Sequence, residues 1–171
     1  MCEDIRPDRE NYSIEIVPLD KPEDVNVILG QTHFIKSVED LYEAMANAGG
    51  NTKFGIAFLE ASGPCLVRLA GNDQELIDLA KSNALKLGTG HVFIIMMRQG
   101  YPINVLNNIK MVPEVCRIFA ATANPLDVVV LRTGRGAGVL GVVDGYAPKG
   151  VEGPQDVEKR KVLLRKIGYK L

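Results

Sequence analysis

The longest uninterrupted apolar run in the chain is Val92–Met97, which follows Gly-Thr-Gly-His. It is too short to cross a bilayer, and its lack of polar alternation is typical of a strand that is buried on both faces. We therefore predict that His91–Met97 is a central strand. The rest of the chain must then supply the neighbouring strands and the helices that cover them.

The remaining apolar pattern alternates between strand-like and helix-like segments. Strands are predicted at Ser13–Val17, Val25–Leu29, Lys53–Glu60, Cys65–Leu69, His91–Met97, Asp127–Leu131 and Val139–Asp144. Helices are predicted to begin at Ser37 and after the N-cap Asn72, to cover roughly Asn104–Ala120, and to occupy about Gln155–Ile167. This order predicts an α/β fold with a mixed, roughly seven-stranded sheet and about four helices. We expect a single domain over residues 1–171, with residues 1–11 as a loose N-terminal arm.

Composition argues against several classes of protein. The net charge of −1 and the pI near 6.1 supply no strong field for nucleic acid or for an anionic membrane, so neither is an expected partner. The first ten residues are charged and do not resemble a signal peptide, so we expect a cytoplasmic protein. The three cysteines have no zinc or disulfide spacing, and no metal site is predicted. Cys116 is expected on the buried stripe of the third helix.

Polar side chains stand at the ends of several predicted strands. If the helices make parallel crossovers and the short turns make hairpins, five of these ends meet at one edge of the sheet. The residues concerned are His33, Glu60, His91, Asn124 and Asp144. Polar groups that converge beside a buried apolar sheet are the usual anatomy of a ligand pocket, so we predict a small-molecule site at this edge.

The two histidines and Glu60 are the candidate catalytic residues. His33 lies near a helix N-terminus, where anions bind favourably, and Lys36 is close to it. His91 could be a nucleophile or an acid–base group, and Glu60 could bind ribose hydroxyls or act as a base. Each also has a structural interpretation: a solvent-exposed loop histidine, a satisfied core histidine and a turn acid.

The candidate binding residues come from turns. Ser62 and Gly63 follow Glu60 in a predicted hairpin turn, and without a Gly-x-Ser-x-Gly motif Ser62 is a turn residue or ligand contact rather than a hydrolase nucleophile. Asn124 could pair with an adenine edge. Gly134–Gly138 joins two strands, which favours a hairpin turn on the opposite edge over a phosphate loop. Arg135 in this turn could still reach a phosphate in a neighbouring subunit.

Several stretches in order resemble the adenosine-specific kinase family. They are Asn26–Leu41 (NVILGQTHFIKSVEDL), Phe58–Gly63 (FLEASG), Leu66–Asp73 (LVRLAGND), Gly90–Phe93 (GHVF), Tyr101–Lys110 (YPINVLNNIK), Pro113–Pro125 (PEVCRIFAATANP), Gly138–Gly145 (GVLGVVDG) and Arg165–Leu171 (RKIGYKL). The resemblance runs from about residue 12 to the end. It implies a three-layer α/β/α fold, a homo-oligomer, binding of adenosine or AMP, and a phosphorylated histidine. Both histidines lie in matching stretches.

Together these observations predict an adenosine- or AMP-binding phosphotransferase. In this hypothesis His33 or His91 accepts the phosphoryl group, and Lys36 or Arg135 offsets its charge. Glu60 orients ribose hydroxyls or takes a proton. The chain carries neither a Walker motif nor a protein-kinase motif set, so the phosphoryl donor and any cofactor stay unassigned. Two other classes remain open: a non-catalytic adenine-nucleotide sensor, and a nucleoside hydrolase that uses Glu60 or Asp144.

Overall fold

A computed structural model describes residues 11–171, so all but Asn11 of the predicted N-terminal arm lies outside the described residues. In chain order the elements are β1 (Tyr12–Pro18), β2 (Asn26–Thr32), α1 (Ser37–Asn47), β3 (Lys53–Leu59), β4 (Val67–Gly71), α2 (Gln74–Leu87), β5 (Val92–Arg98), α3 (Pro102–Lys110), β6 (Val115–Thr122), β7 (Leu126–Thr133), β8 (Ala137–Asp144) and α4 (Pro154–Lys166). The α/β class and the four helices are confirmed. Across residues 11–171, no helix is both long enough and apolar enough to span a membrane.

The strands form two sheets rather than the single mixed sheet of about seven strands that was predicted. A five-stranded sheet has the order β4-β3-β5-β2-β6, and a three-stranded sheet has the order β1-β7-β8. Every pair of neighbours is antiparallel. The crossover through α1 does make β2 and β3 run in the same direction, as expected. However, β5 lies between them, so they are not hydrogen-bonded to each other.

Strand β5 is central in the five-stranded sheet, and both of its faces are buried. Ile95 and its neighbours on one face pack against α1 and α3. Ile94 and its neighbours on the other face pack against α2 and against Val128 and Val130 of the three-stranded sheet. The second covering layer therefore combines a helix with a sheet, which differs from the α/β/α layering implied by the family resemblance.

The predicted third helix over Asn104–Ala120 is wrong in its second half. The helix ends at Lys110, and Val115–Thr122 is the edge strand β6, paired with β2. Pro113 cannot continue a helix, and the β-branched and aromatic residues beyond it suit a strand. Cys116 is consequently exposed on β6 and not buried on a helix.

Helix α2 approaches β3 unusually closely at Gly55. A Cβ atom there would lie 2.2 Å from the backbone nitrogen of Ile77. The N-cap of the helix is Asp73, one residue after the predicted cap Asn72, and its side chain accepts a hydrogen bond from the Leu76 N–H. It ends at Gly88 in the left-handed conformation, φ +57°. The close approach at Gly55 therefore packs the first turn of α2 directly against β3.

We predict that Gly55→Ala lowers the free energy of unfolding by ~2 kcal/mol or more, because the added methyl group overlaps the α2 backbone. Urea denaturation followed by circular dichroism measures the loss. Gly150→Ala is the matched control, since a Cβ there meets nothing within 4 Å. Equal stabilities of the two variants would contradict the close approach.

Candidate functional site

Glu60 and His91 meet because β3 and β5 are antiparallel neighbours. Phe58 pairs with Phe93, so the residues just beyond these strands lie side by side, and the His91 N–H donates to the carbonyl of Leu59 at 2.8 Å. His91 Nε2 lies 3.3 Å from Glu60 Oε1. The imidazole also stacks on Phe58, with ring centroids 6.1 Å apart and planes inclined by 13°.

The Glu60 carboxylate is buried, yet its surroundings favour the ionised form. Its Oε1 accepts hydrogen bonds from the Ala61 N–H at 3.1 Å and the Ser62 hydroxyl at 3.0 Å, and Arg68 Nε lies 3.6 Å from Oε2. Burial raises the pKa of Glu60, but the hydrogen bonds from Ser62, Ala61 and His91 together hold that pKa below its ordinary value. Glu60 is therefore a weak proton acceptor and a firm hydrogen-bond acceptor.

This pairing determines which nitrogen of His91 is free. An ionised carboxylate can only accept hydrogen bonds, so the Nε2 that faces Glu60 carries a proton. In the neutral ring, Nδ1 then keeps its lone pair and can act as a nucleophile. His91 itself has φ +54°, a left-handed backbone conformation that few non-glycine residues adopt. The side chain is 32% exposed, so a substrate can approach it.

A cavity of about 660 Å³ lies beside Glu60, a size typical of small-molecule sites. It is bounded by the end of β3, the end of α2 and the β7–β8 hairpin, and its wall includes Leu59, Thr89 and Arg135. Thr89 is 4% exposed, and its hydroxyl has no hydrogen-bond partner among residues 11–171. A buried, unpaired hydroxyl in the wall is a group that a polar ligand could satisfy.

His33 and Lys36 lie near the same edge, but neither side chain contacts Glu60 or His91. The N–H of Thr32 donates to the His91 carbonyl at 3.0 Å, whereas the exposed His33 side chain makes no hydrogen bond, ion pair or ring contact within the described part of the chain. Lys36 forms ion pairs with Asp40 and with the buried Glu114. Hydrogen bonds from Asp40 and then Glu114 raise the pKa of Lys36. Its charge is already matched by two carboxylates.

The prediction that Asn124 and Asp144 share the Glu60 edge is wrong. Asn124 Nδ2 donates to Asp144 Oδ1 at 3.1 Å, and the Thr122 hydroxyl donates to the same oxygen at 2.8 Å. Thr122 pairs with Val27 near the start of β2, whereas Glu60 lies near the end of β2, roughly 15 Å away by strand rise. The undetected strand β6 reverses the chain and carries Asn124 to the far edge.

The Gly134–Gly138 segment is the predicted hairpin turn, closed by the Thr133 N–H, which donates to the Gly136 carbonyl at 2.8 Å. Its predicted position on the opposite edge is wrong, because Arg135 borders the same cavity as Glu60. The prediction assumed that all strands belong to one sheet. Strands β7 and β8 belong to the second sheet, so the position of their turn could not be deduced in that way.

Ser62 and Gly63 form the turn after β3, as predicted. The carbonyl of Ser62 accepts from the Cys65 N–H at 3.1 Å, and Gly63 has φ +56°. The predicted role of Ser62 as a turn or contact residue is compatible with its hydrogen bond to Glu60, whereas a direct contact of Gly63 with a ligand stays a prediction.

Two residues of the site were missed at the level of sequence. Arg68 pairs with Phe58 across the β3–β4 hairpin, so extending the predicted hairpin by register would have brought it next to Glu60. For Thr89, the only indication in the sequence was the glycine on either side of it. Its place in the site depends on a cavity that three distant segments form.

Comparison with known proteins places most of the chain in one family. A family model described as adenosine specific kinase matches residues 17–170, a stretch that includes Glu60, His91 and the cavity. Among solved structures, the crystal structure of the PH1918 protein from Pyrococcus horikoshii OT3 is 48% identical in sequence, with a TM-score of 0.89. The alignment covers 94% of this chain and 99% of that one. No curated protein sequence matches the chain.

We predict that Glu60→Gln lowers the free energy of unfolding on the order of 2 kcal/mol at pH 7, because buried donors lose their charged acceptor. The folded pKa lies below the ordinary value of 4.5, so this contribution is complete above pH 4.5 and is lost as the pH falls through the folded pKa. The stability difference between wild type and variant should therefore shrink below pH 4.5.

Urea titrations at a series of pH values measure this difference. Glu158→Gln, at an exposed position of α4, is the control and should remain close to wild type throughout. A difference for Glu60→Gln that stays constant down to about pH 3 would show that the ionised carboxylate is not stabilised by the fold.

Proposed function

The chain belongs to the adenosine-specific kinase family, and we propose that it binds adenosine or AMP in the cavity beside Glu60 and transfers a phosphoryl group through His91. One observation carries this proposal. A buried, ionised carboxylate holds Nε2 of a partly exposed histidine at 3.3 Å, next to a cavity large enough for a nucleoside. Of the two histidines, His91 is the one with this support.

In the proposed reaction the phosphoryl donor is a nucleoside triphosphate. Nδ1 of His91 attacks the terminal phosphorus, the bond from that phosphorus to the bridging oxygen breaks, and its electron pair leaves with the nucleoside diphosphate. The hydrogen bond from Nε2 to Glu60 stabilises the positive charge on the phosphorylated ring. The 5′-hydroxyl of adenosine then attacks the phosphorus, the P–N pair returns to Nδ1, and the hydroxyl proton passes to solvent.

Glu60 is assigned a positioning role rather than the role of a general base. Its lowered pKa and its three hydrogen-bond donors suit a group that fixes the ring of His91. Arg135 is the cation proposed to offset phosphate charge, since it borders the cavity while Lys36 is held by Asp40 and Glu114. Thr89 would give its unpaired hydroxyl to the nucleoside.

We predict that His91→Asn abolishes transfer of labelled phosphate from [γ-³²P]ATP to the protein and to adenosine, whereas His33→Asn retains it. Asparagine keeps a polar side chain near Glu60 but lacks a nucleophilic nitrogen. Incorporation into protein and the formation of labelled AMP are measured side by side. Loss in His33→Asn with retention in His91→Asn would reverse the assignment.

The same assay separates the proposal from its alternatives. Tight binding of adenosine or AMP with no labelled product in the wild type would identify a nucleotide sensor, and release of free adenine would identify a nucleoside hydrolase. Either result would overturn the proposed transfer. A hydrolase that combined Glu60 with Asp144 is disfavoured by their positions on opposite edges of the sheet.

We also predict that Arg135→Ala weakens AMP binding about tenfold to hundredfold, as expected for loss of a charge-assisted hydrogen bond. Adenosine has no phosphate, so its affinity should change less than about threefold. Calorimetric titrations with both ligands measure the two effects. Arg117→Ala, on β6 away from the cavity, is the control. Equal losses for AMP and adenosine would contradict a phosphate contact by Arg135.

A further inference from the structure

The wall of the cavity beside Glu60 contains a thiol that the proposed reaction does not use. Cys65 lies in the turn between β3 and β4 and borders the cavity together with Ala61 and Val67. It is exposed and forms no disulfide within residues 11–171. Its Sγ lies 3.7 Å from the carbonyl of Gly63, which is at most a weak hydrogen bond. Reagents in solution can therefore reach this sulfur, and exposure is the first requirement for thiol reactivity.

The turn holds Cys65 in a defined position at this wall. The Cys65 N–H donates to the carbonyl of Ser62 at 3.1 Å, and the Glu60 N–H donates to the carbonyl of Leu66 at 3.3 Å. The same turn supplies the Ser62 hydroxyl that donates to the Glu60 carboxylate at 3.0 Å. A group attached to Cys65 would therefore start at the cavity wall, in the segment that carries Glu60.

The other walls suit an occupant that is partly polar and partly apolar. The Thr89 hydroxyl is buried and has no hydrogen-bond partner among residues 11–171, so it is a ready donor for a polar ligand. Arg135 borders the same cavity, and Leu59 and Val67 give its wall apolar surface. A small peptide joined to Cys65 would offer amides and carboxylates to the polar groups and methylene groups to the apolar ones. The volume of about 660 Å³ is typical of a site for one small molecule.

We propose that Cys65 is a modification site at which a low-molecular-weight disulfide, such as glutathione disulfide, closes the cavity to its ligand. The thiol of Cys65 loses its proton to solvent, and its sulfur attacks one sulfur of the disulfide. The S–S bond of the reagent breaks, a new S–S bond joins one half to Cys65, and the other half leaves as a thiolate that takes up a proton. The attached half occupies the cavity until a reducing thiol removes it. The inference rests on the proposed function in taking this cavity to be the nucleoside site.

Cys116 is a matched control within the same chain. It is exposed, forms no disulfide within the described part of the chain, and lies 3.5 Å from the carbonyl of Glu114 through its Sγ. Cys65 immediately precedes the β4 edge of the five-stranded sheet, whereas Cys116 lies on β6 at the other edge, roughly 19 Å away by strand spacing. It borders a separate depression along β6. Modification of Cys116 should therefore leave the cavity open.

The first test locates the adducts. The protein is treated with excess glutathione disulfide, and peptide mass spectrometry follows the modification of Cys65 and Cys116 over time. Both cysteines should react. Saturation with AMP beforehand should slow the reaction of Cys65 at least about tenfold, because ligand and adduct compete for the same space, and should leave the rate at Cys116 unchanged.

The second test measures AMP affinity by calorimetric titration before and after treatment. Modified Cys116→Ser should bind AMP at least about hundredfold more weakly than the unmodified variant, and dithiothreitol should restore the affinity. Cys65→Ser retains Cys2 and Cys116, so its affinity should be the same before and after treatment. A methylthio group on Cys65 is far smaller than glutathione and should leave most of the affinity. Equal losses with both adducts would show distortion of the turn and would overturn the proposal.

Hydrogen–deuterium exchange tests the inference without a nucleoside. The Gly90 N–H donates to the Ala137 carbonyl at 3.3 Å, and both residues border the cavity. Glutathione on Cys65 should slow exchange at Gly90, whereas the adduct on Cys116 in Cys65→Ser should not. An unmodified protein that binds neither adenosine nor AMP would end the proposed function but leave this measurement valid. Absence of an adduct on Cys65, or an adduct that changes neither AMP affinity nor exchange at Gly90, would overturn the inference.

Discussion

The structure depends on the burial of both faces of β5. A strand with no polar residue between Val92 and Met97 has to be flanked by other strands and covered above and below. Helices α1 and α3 cover one face, and α2 with the three-stranded sheet covers the other. Antiparallel pairing of β5 with β3 then brings the first residue before β5 next to the first residue after β3. The meeting of His91 and Glu60 is a consequence of how the core is covered.

A carboxylate at the boundary of such a core is disfavoured in its ionised form. Desolvation favours the neutral form of Glu60, and only several donors aimed at the same group reverse that preference. Those donors come from the turn after β3 and from the residue before β5, so the ionisation of Glu60 and the orientation of His91 depend on each other. His91 adopts a left-handed backbone conformation in which its N–H donates to the Leu59 carbonyl and its own carbonyl accepts from the Thr32 N–H.

The parts of this arrangement that were predictable are those that depend on local pattern and on neighbouring strands. The central position of β5 follows from its apolar run, and the meeting of Glu60 with His91 follows from strand directions inferred from one hairpin turn and one helical crossover. Strand β6 was missed because apolar residues at Val112, Val115, Cys116 and Phe119 also fit a helical stripe, while its pairing with β2 is long-range. Because of that error, Asn124 was predicted at the wrong edge of the sheet. The position of Arg135 was not predictable, because the packing of one sheet on another leaves no local signal.

The second sheet links the core to the cavity beside Glu60. Its inner face completes the core over β5, and its β7–β8 hairpin extends past that core to border the cavity at Thr133 and Arg135. Leu131 and Gly138 also line this cavity. The two strands thus complete the core with one face, while the turn between them borders the cavity.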